Sequence, residues 1–205
     1  MRNIIDNVTD LSAEIGEVIL DSFMNDGLLK DIPFIGTGIK IISISTSFSD
    51  LILIRKLKIL MNNLNILSQS DIDKFKENMS KDKSRIEICT KLINIINRTD
   101  EDIKIELIAK AFLNYINKKI EKDFFLRIIT IINNTFIKDI QRLREIEGKI
   151  LSNNRKIESY ILHQLFSNGL LNNCGINGGG AANDSDNGTI YMVNIFGGYI
   201  KNELL

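Results

Sequence analysis

The sequence predicts a mainly α fold, a multi-helix bundle over residues 1–168 with a small β-hairpin at the C-terminus. Three observations lead there. Apolar residues recur at helical spacing through most of the first 170 positions. A single proline, Pro33, occurs in 205 residues, so almost nothing breaks a helix from within. After Gly169 the texture changes to Gly, Asn, Asp and Ser and then to a short β-branched run, the signs of turn and strand. Residues 169–205 are expected to form a tail packed on the bundle, the whole making one structural domain.

The first helix is capped by Thr9 or Asp10 and carries Leu11, Ile15, Val18, Ile19 and Phe23 on one face, with Gly27 placed to end it. Ile32 to Ile54 is apolar, with charge only at Lys40 and Asp50. Leu53, Leu57, Leu60, Leu64 and Leu67 give the next helical stripe. Ser70 with Asp73 resembles a capping box for a short helix bearing Ile72, Phe75 and Met79. A helix over 83–97 is expected to bury Ile86, Cys89, Leu92, Ile93 and Ile96. Thr99 with Asp102 repeats the capping pattern before a helix with Leu107, Ile108, Ala111, Phe112, Tyr115 and Ile116 on one face. The longest helix is expected over 122–152, with Phe125, Ile128, Ile129, Ile132, Phe136, Ile140 and Leu143 inward. A last one carries Ile157, Ile161, Leu162, Leu165 and Phe166 and stops at Gly169. Asn172 to Gly188 reads as a mobile loop, with Gly178, Gly179, Gly180, Asp184 and Asp186 as its candidate functional positions. Strand is expected only near Thr189–Val193, before a closing helical turn.

Composition narrows the chemistry. Lys plus Arg equals Asp plus Glu at 26 each, so the zero net charge removes the general electrostatic drive that sequence-independent nucleic-acid binding requires. The two cysteines, Cys89 and Cys174, form no CxxC pair, which argues against a disulfide framework and fits a reducing cytoplasm. The first residues lack an uninterrupted apolar stretch, so no signal peptide is expected.

Each candidate site has a plainer reading that wins. Gly178-Gly179-Gly180 is followed by two alanines, not by Lys and Ser or Thr, so no Walker loop is present. Asn183, Ser185, Asn187 and Gly188 fall at calcium-loop spacing, yet the twelfth position is Asn194, which offers no bidentate carboxylate. His163 is the only histidine and lies off the apolar stripe, with no second nitrogen or sulfur ligand nearby for zinc. Cys174 has no neighbouring base or cation in sequence to activate its thiol. Arg142, Arg144, Lys149, Arg155 and Lys156 form a basic run, but Glu145 and Glu147 are interleaved, so a solvated face with local pairing is expected. Asp100-Glu101-Asp102 suits the positive end of a helix. No catalytic, cofactor-binding or metal-ligating residue is therefore assigned, and no small-molecule substrate is evident.

The segment "HQLFSNGLL", the glycine-rich stretch, "TIYMVN" and "FGGYIKNELL" together resemble the closing half of a winged-helix domain. That resemblance implies helix, strand, wing, strand and helix in order. Wings that bind DNA are usually basic, whereas this one holds Asp184 and Asp186 and no Lys or Arg. The aromatic-Gly tail and the segment Gly27-Leu28-Leu29-Lys30-Asp31-Ile32-Pro33 are also similar to bacterial helical proteins related to abortive infection. This likeness implies a role in phage defence and carries over no catalytic residue.

The expected function is that of a non-enzymatic, cytoplasmic interaction or regulatory protein, with a protein partner or self-association and no nucleic acid. The alternative is a membrane-active effector that inserts residues 32–54 in an activated state, with Pro33, Phe34, Ile35, Gly36, Gly38, Ile39 and Ile42 as the candidate membrane or partner segment. Its length suffices to span a bilayer, but Lys40 and Asp50 would each cost roughly 2.5 to 3.5 kcal/mol near the centre. An enzyme built from scattered residues is the third class.

Overall fold

The computed structural model describes residues 48–64, 70, 84–154, 156–178 and 187–205. The chain divides into two compact units, Met1–Lys122 and Asp123–Leu205. Among the described residues it is mainly helical with one small antiparallel sheet.

In the first unit, α1 (Phe48–Leu64), α2 (Ser84–Arg98) and α3 (Asp102–Ile116) pack together, α1 lying against both others. The expected stripe is in place, with Leu53, Leu57, Leu60 and Leu64 all buried, while Leu67 lies outside the described residues. α3 buries nearly its whole length, from Ile105 to Ile116, around Phe112. α3 begins two residues later than the expected cap at Thr99 implies. Thr99 is buried at the end of α2 and its hydroxyl donates back to the Ile95 carbonyl at 2.8 Å. Glu101 then occupies the N-cap of α3 without a side-chain bond. The Ile95 carbonyl also accepts from the Thr99 N–H at 2.9 Å, so the hydroxyl back-bonds within the last turn of α2.

The second unit begins with α4 (Lys122–Asn134), followed by α5 (Ile137–Arg142), a 3-10 turn (Leu143–Glu145) and β1 (Lys149–Leu151). The long helix expected over 122–152 is therefore corrected to two helices and a strand. The break has a local cause. Asn133, Asn134 and Thr135 are weak helix formers whose side chains compete for the backbone. The Thr135 hydroxyl donates to the Ile131 carbonyl at 2.7 Å. Phe136 then turns extended as the N-cap of α5, and instead of facing inward its side chain is 55% exposed.

α6 (Ser159–Ser167) packs on α5 and on β2 (Leu171–Asn177). Its end matches the expected stop: Gly169 adopts φ +78°, its N–H donates to the Phe166 carbonyl, and the Leu170 N–H reaches the Leu165 carbonyl. Those two bonds are a Schellman closure, which needs the left-handed residue at this position.

β3 (Gly188–Val193) is the central strand, in the order β1-β3-β2, antiparallel to both neighbours. Tyr191 lies opposite Ile150 on one side and Asn173 on the other. Strand is thus not confined to 189–193: the region read as a loop from Asn172 supplies β2, with a bulge between Asn173 and Ile176 where Gly175 takes φ +112°. Pairing with β3 overrides the poor strand propensity of Asn and Gly. The chain closes with α7 (Ile195–Tyr199) and a π-helical turn (Ile200–Leu204). Asn194 organises this corner. Its Oδ1 accepts from the N–H groups of Phe196 and Gly197, both at 3.0 Å, and its Nδ2 donates to the Gly169 carbonyl at 2.8 Å. Phe124 of α4 stacks against Phe196 and meets Tyr199 edge-on, each at 5.2 Å between ring centroids, with the Arg127 guanidinium over Phe196.

Candidate interaction surface

Ile161, Leu162 and Leu165 turn one face of α6 into the core, which leaves Tyr160, His163, Gln164 and Phe166 on the outside. Tyr160, His163 and Phe166 follow at three-residue steps, so they form one stripe along the helix. Tyr191 of β3, itself buried, anchors that stripe. Its hydroxyl is hydrogen-bonded to His163 Nδ1 at 2.9 Å, the two rings meet edge-on, and the Phe166 ring lies 5.5 Å from the tyrosine ring. His163, the sole histidine, is thus tied to a core tyrosine.

The hairpin extends the same face. Directly opposed residues of an antiparallel pair point to the same side, and the side alternates along a strand. Ile176 opposes Thr189, two positions from Tyr191, so it shares the tyrosine's face, and it is 77% exposed. Tyr160 is 65% exposed. Asn172, Asn173 and Cys174 are also exposed on β2. The Cys174 thiol has only a long approach to the Asn172 carbonyl, at 4.0 Å.

Charge is arranged around this surface and not on it. No Lys or Arg occurs between Lys156 and Lys201, so α6, β2 and β3 carry no cation. Residues 123–205 hold eight Lys or Arg and eight Asp or Glu, which cancel. Of the basic run, Arg142 and Arg144 are engaged locally, while Lys149 and Lys156 are exposed. Arg142 bridges Glu145 at 3.0 Å and Glu158 at 3.4 Å and donates to the Lys156 carbonyl at 2.6 Å. Arg144 donates to the Leu205 carbonyl, and Lys201 to that of Ile146 at 2.8 Å. Arg155 lies outside the described residues. Asp139 on α5 is buried, and burial raises its carboxyl pKa above the ordinary value, helped by the nearby negative charge of Glu158.

In the first unit the charges clasp the corner between α2 and α3. Lys56 donates to the Asn97 carbonyl at 2.8 Å, where the end of a helix attracts a cation. Arg55 pairs with Asp102 in the first turn of α3. Lys104, almost fully buried, reaches Asp100 at 3.1 Å and Glu101 at 3.4 Å. The hydrogen bond from Lys104 is the main reason the Asp100 carboxyl titrates below its ordinary value, while burial pulls Lys56 down. The acidic triplet thus meets the dipole of α3 and two named cations. Among the described residues no group of three or more His, Cys, Asp or Glu is placed to hold a metal ion.

Of the positions singled out in the sequence, Gly178 is exposed just beyond β2, and a Cβ there would meet nothing within 4 Å. Gly179, Gly180, Asp184 and Asp186 lie outside the described residues, as do Pro33, Phe34, Ile35, Gly36, Gly38, Ile39 and Ile42. Among the described residues no helix is long and apolar enough to cross a membrane. Sequence reasoning missed Tyr160, Ile176 and Tyr191 as parts of one surface. Only the three-residue spacing of Tyr160, His163 and Phe166 signalled it. Compared with known proteins, the chain matches no family model, no curated sequence and no solved structure.

Proposed function

We propose that the C-terminal unit is a winged-helix-like module that works by contacting protein, not duplex DNA, and without a catalytic step of its own. Support for the winged-helix reading comes from the element order after α4, in which β1, α6, β2 and β3 follow one another and the sheet runs β1-β3-β2. In that arrangement α6 and the β2–β3 hairpin are the parts that would meet a DNA groove and its phosphates.

The observation that carries the protein reading is the absence of any Lys or Arg from residue 157 to 200. Phosphate neutralisation supplies most of the affinity of duplex binding, and a face without cations has no means to provide it. Tyr160, His163, Phe166 and Ile176 instead give an aromatic and apolar surface with uncharged hydrogen-bonding side chains between them. Such composition, rich in aromatics and poor in charge, marks the core of a protein interface.

The test is titration of the full chain against a random duplex at low and at moderate salt. No binding tighter than roughly 10⁻⁴ M is expected. Micromolar affinity that falls steeply with salt would sink the reading.

A further inference from the structure

The sequence contains three Asn-Gly pairs, Asn168-Gly169, Asn177-Gly178 and Asn187-Gly188, all between the end of α6 and the start of β3. Such a pair is chemically labile, because a glycine after asparagine has no Cβ to keep its nitrogen from the asparagine side chain. The fold treats the three differently.

At Asn168 the nitrogen that would react is occupied. The Gly169 N–H donates to the Phe166 carbonyl at 2.9 Å, and Asn168 closes α6 with ψ 4°, which turns that nitrogen away from its Cβ. Asn187 is restrained from the other side. Gly188 is the first residue of β3, in register with Asn177, and so packed that a Cβ on it would lie 2.5 Å from Ser152 Oγ. The Asn187 Oδ1 is itself buried. Asn177 ends β2, and both it and Gly178 are exposed. Gly178 lies beyond the ladder. Among the described residues no hydrogen bond holds its N–H, and a Cβ there would meet nothing within 4 Å.

We propose that Asn177 is a site of spontaneous deamidation, selected by the fold, with water as the co-reactant. The Gly178 nitrogen attacks Asn177 Cγ and forms a bond to it. The Cγ–Nδ2 bond breaks, and Nδ2 leaves as ammonia with the proton of the Gly178 N–H. Water then opens the cyclic imide at either carbonyl and leaves aspartate or isoaspartate. One amide is exchanged for one carboxylate. α6, β2 and β3 hold no Lys, Arg, Asp or Glu, so that carboxylate is the first charged side chain on these elements. Isoaspartate also routes the main chain through Cβ, which lengthens the end of β2 and shifts it against Gly188. This chemistry needs no partner and holds whichever molecule meets the neighbouring face.

The experiment ages the full chain at mildly alkaline pH, folded and, in parallel, in denaturant. Trypsin releases all three pairs in one peptide, Ile157–Lys201, because no Lys or Arg lies between its ends. Fragmentation of that peptide in a mass spectrometer locates each new carboxylate. In the folded chain Asn177 should convert roughly fivefold or more faster than Asn168 or Asn187, since no backbone hydrogen bond has to open first. In denaturant the three rates should converge. Gly178→Ala should suppress the reaction at Asn177 without loss of stability, as its Cβ meets nothing. Equal rates at the three pairs in the folded chain overturn the proposal, as does an Asn177 that resists there and converts only in denaturant. Rates that stay unequal in denaturant would trace the preference to sequence and overturn it too. So would conversion undiminished in Gly178→Ala.

Discussion

Gly197 approaches Leu170 so closely that a Cβ built on the glycine would lie 2.3 Å from the Leu170 carbonyl oxygen, with Val193 Cγ1 at 3.0 Å on the same side. The obstacle is backbone, which cannot swing away. Leu170 itself is held, because its carbonyl accepts from the Asn194 N–H at 3.1 Å and its N–H closes α6. Gly197→Ala should therefore destabilise the second unit by about 1 to 3 kcal/mol, the usual cost of forced overpacking. Gly198→Ala, where a Cβ meets nothing within 4 Å, is the matched control and should change little. Denaturant midpoints of the two variants decide it.

Asn194 does two tasks at once, and substitution can separate them. Its oxygen caps α7 through two N–H groups, and its amide nitrogen holds Gly169 at the end of α6. Asn194→Ala removes both and should cost about 1 to 2 kcal/mol. Asn194→Asp keeps the acceptor at a helix N-terminus but has no donor for Gly169, so it should fall between wild type and Asn194→Ala. An aspartate variant no more stable than the alanine variant would show that the cap contributes nothing.

Asp139 should make the fold less stable at neutral pH than in acid. Burial raises its folded pKa, so the native state holds this proton more tightly than the unfolded chain. The two states differ least below the unfolded pKa, and the full penalty applies above the folded one. Asp139→Asn should thus raise the denaturant midpoint at neutral pH, and the gain should shrink as pH falls through the raised pKa and vanish below the ordinary aspartate value. A gain that is the same at both ends of the range would dismiss the carboxyl as its source.

The helical character of the chain was legible because burial imposes a period on sequence. Leu53, Leu57, Leu60 and Leu64 are buried in the order their spacing requires. The break after α4 was not, since Ile128, Ile132, Phe136 and Ile140 keep the same period across it, and only the polar triplet 133–135 differs. β2 was hidden for the opposite reason. Its sequence, LNNCGIN, lacks alternation and strand formers, and it becomes a strand by pairing with β3. Asn194 drew attention only as a poor calcium ligand. Its place before Phe196 and Gly197 was an equally visible helix-cap signal. The aromatic stripe of α6 was in plain sight, but its anchor, Tyr191, comes from β3 and needed the sheet to bring it there.

The bond between Tyr191 and His163 assigns the sole histidine a structural role, and a double-mutant cycle tests it. Tyr191 is almost fully buried, so its hydroxyl needs a partner, and His163 Nδ1 supplies one from the exposed face of α6. Tyr191→Phe removes the hydroxyl and should cost about 0.5 to 1.5 kcal/mol. His163→Ala strands that hydroxyl at the core boundary and also removes the ring that meets Tyr191 edge-on, so its cost should be at least as large, about 1 to 3 kcal/mol. Once Tyr191 is Phe, His163→Ala should cost less than in wild type by about 1 kcal/mol, because the bond is already gone. Strict additivity of the two substitutions in chemical unfolding would mean that the contact does not couple the helix to the sheet, and His163 would again be open to a functional role.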